Sequence, residues 1–323
     1  MEIFSKNKTF DFMGKSKIFI SISIAFILAS YVLLATRGLN YGLDFKGGTL
    51  VQVKYDKKAP IKKIREVITK DELFKNATIT YFGSPNEVII KFATSSSSVK
   101  EDMGDKVRRL LKGTGNYKIR RVDIVGPKVG GELREKGLMA SVLSILAILI
   151  YVAFRFEWRF AVASVLALVH DVSISLGAVA LFKIDVNLDT LAAILTIMGY
   201  SLNDTIIVFD RIREGIHEGK EYNLFDVINE SISKTLSRTT LTSLTTFFVV
   251  LTLYLFGGEI IVGFSFTLLV GIVVGTYSSI FVASPLLKWL GFNIEDFKRR
   301  LAEKEKAKAE KEKMRAMYER GMV

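Results

Sequence analysis

Six long apolar stretches divide the chain and predict a protein that crosses a membrane six times. They cover residues 18–35, 138–154, 160–182, 188–209, 239–256 and 260–287. Each approaches or exceeds the roughly 20 residues that a helix needs to span a hydrocarbon core. The first stretch is too long for a cleaved signal peptide, and no small-residue cleavage site follows it. Most charged residues therefore lie in the segments between membrane helices.

The longest polar segment, 36–137, predicts a folded domain with its core at 48–126. Strands are predicted at 48–55, 77–82, 87–92 and 117–125, and helices at 60–70 and 98–111. Pro60 suits a first helical turn, and Ser98 with Glu101 three residues later has the spacing of a capping box. The order βαββαβ is that of a split-βαβ, ferredoxin-like domain. The predicted fold class is thus a polytopic α-helical membrane protein with six transmembrane helices and one extracytoplasmic ferredoxin-like α+β domain.

Charge placement predicts the orientation of the chain. Of 45 lysines and arginines, many lie in four segments that are expected in the cytoplasm, namely 1–17, 155–159, 210–238 and 288–323. The positive-inside rule therefore places both termini inside and 36–137 outside. Basic flanks and a basic tail contribute to the net charge of +12, and they favour membrane lipid as a partner over nucleic acid.

The cytoplasmic segment 210–238 connects the fourth and fifth predicted helices of a five-helix bundle over 138–287. Within it, apolar residues recur at near-helical spacing, at Leu224, Phe225, Ile228, Ile232 and Leu236. This pattern is typical of an amphipathic helix that lies at the inner membrane interface.

Asp204 is the leading candidate for a functional group, because it is a lone acid inside an apolar run. A charge at such depth is costly unless it is paired, hydrated or protonated. Arg238 opens the fifth run and can reach toward Asp204; its approach favours the ionised carboxyl, and its withdrawal favours the protonated one. Asn203 can hydrogen-bond either form. The alternatives are a static interhelical bond, worth about 0.6 kcal/mol, and binding of sodium in place of a proton.

His170 and Asp171 form a second polar position, in the third run. As neighbours on a helix they point about 100° apart, so we expect them to face different surroundings. Asp171 is predicted to face the bundle interior, while His170 is either a proton relay or a packed histidine. An intramembrane aspartyl protease would need Asp171 opposite Asp204. Their depths differ by roughly 9 Å, and Asp204 lacks the Gly-x-Gly-Asp context of such enzymes.

Glycines and small polar residues are interpreted as structural. Gly42, Asp44, Gly47 and Gly48 belong to the stretch Gly-Leu-Asp-Phe-Lys-Gly-Gly-Thr, which is predicted to be a tight turn. A phosphate-binding loop is the weaker alternative, since no Gly-Lys-Ser/Thr ending follows and a strand comes next. Gly271 and Gly275 have the spacing that lets membrane helices approach closely. Hydroxyl residues of the last two runs, including Ser243 and Ser278, are interpreted as packing. No cysteine occurs, and no metal or cofactor site is predicted.

Residues 17–292 resemble the SecD/SecF family of protein-export membrane proteins, which belongs to the RND superfamily of proton-driven membrane proteins. The matching pieces are 41–49, His170-Asp171, 199–214 with Gly199 and Asp210, 253–258, 263–265 and 275–285. The resemblance implies a proton pathway through Asp204 and Arg238, with Asp171 on a neighbouring helix. It implies SecD as a separate partner, and the SecYEG channel and exported unfolded chains as further partners.

The resemblance further implies an accessory subunit of the Sec translocase, not an enzyme, that couples the proton motive force to late translocation. The alternative is an RND-type exporter of small molecules or lipids. The single small outside domain argues against that alternative, because such exporters usually carry two domains in each half.

Overall fold

The computed structural model describes residues 9–93, 103–218 and 223–319. Its α-helices are α1 (Ser16–Arg37), α2 (Leu43–Lys46), α3 (Ile61–Ile68), α4 (Met103–Leu110), α5 (Pro127–Arg155), α6 (Trp158–Leu181), α7 (Leu188–Glu218), α8 (Leu224–Phe256), α9 (Val262–Ser278), α10 (Ser284–Trp289) and α11 (Ile294–Glu319). Its strands are β1 (Gly48–Tyr55), β2 (Thr78–Phe82), β3 (Ser84–Phe92) and β4 (Tyr117–Val125). A 3₁₀ turn covers Glu72–Phe74, and a π-helical turn covers Ser279–Ala283.

Six helices of the described chain are long and apolar enough to cross a membrane, as predicted. They are α1, α5, α6, α7, α8 and the continuous span Val262–Trp289. Half or more of the apolar window is buried in α6, α7 and Val262–Trp289, but less than a fifth in α1, α5 and α8. The first three therefore form the centre of the bundle. The other three present most of their surface to lipid or to a partner.

Small residues allow the central helices to approach closely. A Cβ added at Gly271 of α9 would overlap Ile197 of α7, and one at Gly275 would lie 3.0 Å from the Cβ of Ser201. Removing the side chain from one helix in this way lets the facing backbone come close. The predicted packing role of Gly271 and Gly275 is consistent with these contacts.

The extracytoplasmic domain is a four-stranded sheet in the order β2-β3-β1-β4, with every neighbouring pair antiparallel. This order, combined with the chain order β1-α3-β2-β3-α4-β4, is that of a ferredoxin-like domain. Alternate residues of β1 point to the core, where Val51, Val53 and Tyr55 are buried with residues of α3 and α4. The other face of the sheet is turned toward the membrane ends of the bundle.

Two details of this domain differ from the prediction. The turn predicted over 83–86 is narrower, because Gly83 alone adopts a positive φ of 67° and Phe82 pairs with Ser84. Strand β3 consequently begins at Ser84. The expected N-cap at Ser98 falls outside the described residues.

The amphipathic interfacial helix predicted within segment 210–238 is also different in the structure. Segment 210–238 is not a loop with a separate interfacial helix, because α7 continues to Glu218 and α8 already begins at Leu224. Ile228 and Ile232 are fully buried in a cluster with Phe209 of α7 and Leu287 of α10. The apolar stripe that the sequence suggests for lipid contact is therefore covered by protein.

The π-helical turn interrupts the last membrane span directly after α9. Pro285 explains it, since proline has no N–H and its ring would clash with the carbonyl four residues earlier, at Phe281. The hydroxyl of Ser284 donates to the carbonyl of Ser279 within the same turn at 3.1 Å. The turn lies next to Ser278, and single π turns are frequent near functional sites.

Candidate functional site

Asp204 lies in the interior of the bundle, near the middle of α7, and is only 1% exposed. The Ser243 hydroxyl of α8 donates to its Oδ2 over 3.3 Å. The Thr276 hydroxyl of α9 lies 2.7 Å from the Ser243 oxygen and 2.8 Å from the carbonyl oxygen of Ile272. A buried carboxyl thus has one long hydrogen bond, which leads into a row of two hydroxyl groups.

Asp171 is fully buried on α6 and has closer partners. The Ser201 hydroxyl of α7 donates to its Oδ2 at 2.5 Å, and the Ser278 hydroxyl of α9 donates to the same oxygen at 2.8 Å. Its Oδ1 lies 2.8 Å from Nδ1 of His170. One carboxyl therefore links three central helices.

His170 contacts its neighbour directly, so the expectation that His170 and Asp171 face different surroundings is wrong. The separation of about 100° around the helix applies to Cα–Cβ directions, and rotation of the two side chains brings the ring nitrogen to the carboxylate. The ring also stacks on Tyr277 with centroids 6.1 Å apart. Its Nε2 is buried and has no hydrogen-bond partner among the described residues, so both packing and a relay role remain compatible with this geometry.

The structure does not bring Arg238 and Asn203 into contact with Asp204. Both side chains are exposed, and within the described ranges no hydrogen bond or ion pair joins either to the carboxyl. Arg238 precedes Ser243 by five residues, which places it about 140° around α8.

The glycine-rich stretch forms a structured connection between α1 and β1. Where a tight turn was predicted, the chain forms the short helix α2, followed by Gly47 and Gly48 with φ of 73° and 139°. A Cβ at Gly47 would lie 2.7 Å from the Cα of Pro127, and one at Gly48 would lie 2.7 Å from the Phe92 carbonyl oxygen. These positive φ angles and close approaches require glycine, which supports the structural interpretation.

Asp44 and Asp210 make contacts at opposite ends of α7. Asp44 accepts a hydrogen bond from the backbone N–H of Leu188, the first residue of α7, at 2.9 Å. Asp210 forms an ion pair of 3.0 Å with Arg155 at the end of α5. Gly199, by contrast, has open space where a Cβ would be.

Sequence reasoning missed the roles of the hydroxyl residues around the two acids. Ser243 and Ser278 were interpreted as packing and Ser201 was given no role, but each of the three donates a hydrogen bond to a buried carboxyl. One signal was present in the sequence, since Ser201 precedes Asp204 by three residues and so lies on the same face of the helix. The described residues contain no group of three His, Asp or Glu side chains that could hold a metal ion.

Two family models match the chain. Residues 106–293 match the model described as "Protein export membrane protein SecD/SecF, C-terminal", and residues 32–59 match the model described as "SecD/SecF GG Motif". The second match contains Gly42, Asp44, Gly47 and Gly48. Together the two matches include Asp171, Asp204 and the glycine-rich connection between α1 and β1.

Similar proteins of known name are SecF subunits. A protein translocase subunit SecF from Helicobacter pylori is 48% identical over 323 residues, which is 100% of both chains. SecF from Vibrio alginolyticus is 46% identical over 95% of this chain and 98% of its own length. SecF from Escherichia coli O157:H7 is 39% identical over 93% of this chain and 94% of its own.

Solved structures with the same fold are those of SecDF proteins. The crystal structure of SecDF from Thermus thermophilus, a translocon-associated membrane protein, matches with a TM-score of 0.79 and 35% identity over 90% of this chain. A SecDF structure in the super-membrane-facing form matches with a TM-score of 0.65 and 34% identity over 93% of this chain. In each case the chain spans 40% of the SecDF chain.

Proposed function

The chain belongs to the SecD/SecF family of protein-export membrane proteins, and we propose that it supports export by carrying protons across the membrane at Asp204. It is a multi-pass inner-membrane protein and an accessory subunit of Sec-dependent export. In this role it makes no covalent change in a substrate. The proton gradient would supply the energy for a late step of translocation.

The single observation that carries the proposal is that the buried carboxyl of Asp204 accepts few hydrogen bonds. Asp204 is 1% exposed, yet its hydrogen bond in the described chain is a single one, of 3.3 Å. A buried carboxylate is costly unless charges or hydrogen bonds compensate it. The protonated form avoids that cost, so small changes in the surroundings are enough to move a proton on or off.

The row of hydroxyl groups beside Asp204 suits both protonation states. When the carboxyl is ionised, Ser243 donates to Asp204 and Thr276 donates to Ser243. When the carboxyl is protonated, it donates to Ser243, Ser243 donates to Thr276, and Thr276 donates to the Ile272 carbonyl 2.8 Å away. A hydroxyl group both donates and accepts, so no group loses its partner when the row reverses. This property favours a proton over a sodium ion.

Arg238 would decide which state is favoured. Its guanidinium is exposed on α8, five residues before Ser243, and makes no ion pair with Asp204 in the described residues. Approach of the guanidinium stabilises the carboxylate, and its withdrawal favours the neutral acid. Alternation between the two arrangements would bind a proton from one side and release it to the other.

SecD is the partner of this subunit, and we place its contact on the exposed face of α7. The face consists of small or polar residues at helical spacing, Ala192, Thr196, Gly199 and Asn203. Small residues are typical of helix contacts in membranes. Asn203 and Gly199 would then serve the SecD contact, which accounts for their exposure in the isolated chain.

The remaining partners follow from the same role. SecYEG and unfolded exported chains would be met by the outside domain, with residues 36–137 outside, both termini in the cytoplasm and the basic flanks against anionic lipid. No nucleic acid is involved. The runner-up, an RND-type exporter of small molecules or lipids, lacks support from the relatives, which are named protein translocase subunits and match over 100% and 94% of their own lengths. A protease pair is disfavoured because both oxygens of Asp171 are occupied by other partners.

The test is export of a reporter protein into inverted membrane vesicles that contain SecD, the translocon and either wild type or Asp204→Asn. We expect an imposed proton gradient to accelerate completion of export in the wild type only. Asp189→Asn, which alters an exposed acid of the same helix, is the matched control and should behave like the wild type.

Two outcomes would contradict the proposal. A full response of Asp204→Asn to the gradient, with normal assembly, would make Asp204 a structural group. Acceleration by a sodium gradient in the absence of a proton gradient would show that Asp204 serves a different cation.

A further inference from the structure

The connection between α6 and α7 is hydrogen-bonded to the glycine-rich segment 39–48. The backbone N–H of Val186 donates to the carbonyl of Asn40 at 2.8 Å, and the N–H of Gly42 donates to the carbonyl of Val186 at 2.9 Å. Tyr41 and Val186 thus form a parallel bridge. The Asn40 side chain donates to Asp185 at 2.5 Å. Within segment 39–48, residues 40–44 are therefore hydrogen-bonded to residues 185–188, where α7 begins.

Asp44 continues this attachment onto α7 itself. Its carboxylate accepts the N–H of Leu188, one of the amide groups that a helix leaves without an internal partner at its start. A negative charge is also favoured at that end of the helix dipole. Asp44 thus joins the outer end of α7 through a side chain, whereas the neighbouring contacts at Asn40 and Gly42 involve the preceding loop.

The same segment is fixed to the sheet on its other side. Gly47 lies so close to the beginning of α5 that a Cβ at Gly130 would approach the Gly47 nitrogen to 2.9 Å. The next residue, Gly48, is the first of β1, which is hydrogen-bonded to both β3 and β4. A displacement of segment 39–48 is therefore passed to the strand at the centre of the sheet.

Much of the remaining space between the sheet and the membrane ends is open. A cavity of about 350 Å³ separates the helix-free face of the sheet from the two outer loops of the bundle. Across it, Lys91 of β3 forms a single, partly exposed ion pair with Asp185, and partly exposed pairs contribute little. Segment 39–48 is thus the main firm link between α7 and the sheet.

We propose that segment 39–48 is the coupler that transmits a displacement of α7 to the extracytoplasmic domain, with Asp44 as the positioning residue that holds the coupler on the helix. Asp204 lies sixteen residues beyond Leu188, so a rigid helix carries a shift over about 24 Å. The inference rests on the proposed proton role of Asp204. The coupler acts on the chain's own β-sheet and needs no bound ligand.

The test measures the position of the outside domain in the complete protein with its SecD partner. The chain has no cysteine, so cysteines introduced at exposed Lys62 of α3 and Phe256 of α8 are the sites of this chain that take spin labels. We compare the label–label distance between wild type and Asp204→Asn, which mimics the protonated carboxyl. We expect two distances, and we expect Asp44→Ala to reduce the difference between them at least twofold.

Two control variants separate coupling from loss of structure. Asp44→Asn keeps an oxygen that accepts the Leu188 N–H, and it should restore the difference. Asp56→Ala, at an exposed acid of the same domain, should leave it unchanged. Proton uptake driven by an imposed gradient, measured in vesicles that contain the same variants with SecD, should remain in Asp44→Ala and disappear in Asp204→Asn.

The failures of the two proposals are distinguishable. If proton uptake requires Asp204 but the distance difference persists in Asp44→Ala, the coupler is wrong and the proton role stands. If proton uptake persists in Asp204→Asn, the proton role is wrong. If Asp44→Asn fails to rescue Asp44→Ala, the hydrogen bond to α7 is not the link.

Discussion

Asp171 and Asp204 are both carboxyls buried in the membrane bundle, but their surroundings differ. Asp171 accepts hydrogen bonds from two serine hydroxyls at 2.5 and 2.8 Å and contacts the ring of His170 at 2.8 Å. Asp204 has a single hydroxyl at 3.3 Å. Donors that surround a carboxylate favour its charged form, and burial without them favours the neutral form.

This difference in hydrogen-bond donors indicates which acid is suited to change its protonation. Asp171 has the partners of a structural group that holds α6, α7 and α9 together. Asp204, about one helical turn along α7 from Ser201, lacks those partners and faces a row of hydroxyls that serves either state. Depth in the membrane is therefore a poorer guide to function than the number and direction of hydrogen-bond donors.

Asp171→Ala should give the largest loss of stability. Three partners lose their acceptor, and at about 0.6–1.7 kcal/mol for each membrane hydrogen bond the loss is about 2–5 kcal/mol. Asp204→Ala should change the unfolding free energy by less than about 1 kcal/mol, since one long bond is lost. Equilibrium unfolding in detergent micelles measures both. Equal losses in the two variants would remove the distinction between the acids.

Gly275→Ala tests the Asp171 site without altering an acid. The added methyl group would lie 3.0 Å from the Cβ of Ser201 and push that serine away from Asp171. Overpacking of this kind costs about 1–3 kcal/mol. Gly199→Ala is the matched control on α7, because open space surrounds that position, and we expect a change of less than about 0.5 kcal/mol. Unfolding of both variants in the same detergent decides the point.

Glu87 extends the comparison to an acid of the outside domain, with a smaller effect. Desolvation raises the pKa of Glu87, but hydrogen bonds from Lys54 and Gln52 and the charges of Lys54 and Arg120 outweigh it, so the pKa lies below its usual value. A lowered folded pKa means that the ionised carboxyl stabilises the fold at neutral pH. This stability is lost as the pH falls through the folded pKa.

Glu87→Gln should therefore reduce the acid sensitivity of the outside domain. We expect a change below about 1 kcal/mol, because Lys54 is partly exposed. Thermal unfolding of the full chain, followed at neutral and acidic pH, would reveal a smaller difference between the two pH values in the variant. An unchanged difference would show that Glu87 does not contribute.

Much of the architecture could be predicted because it depends on local patterns. Apolar run length identified the six membrane helices, and strand alternation with glycine and proline signals identified the βαββαβ domain. The prediction failed where tertiary contacts override a local pattern. The stripe at Ile228 and Ile232 is amphipathic in the sequence, but α7 and α10 cover it.

The candidate site was predicted only in part, for a related reason. A lone acid in an apolar run identifies Asp204 by itself, and the same holds for Asp171. Their partners come from other helices, and which hydroxyl meets which acid depends on helix rotation and packing. Ser243 and Ser278 are separated from their acids by 39 and 107 residues, so no local pattern could connect them.

Infrared difference spectroscopy of the protein with SecD in membranes, recorded between alkaline and acidic pH, tests directly whether Asp204 is the acid that changes its protonation. A protonated carboxylic acid has a carbonyl stretching band that a carboxylate lacks. We expect such a band on acidification, its loss in Asp204→Asn, and its persistence in Asp171→Asn. A band that disappears in Asp171→Asn and remains in Asp204→Asn would show that the two acids have the opposite roles.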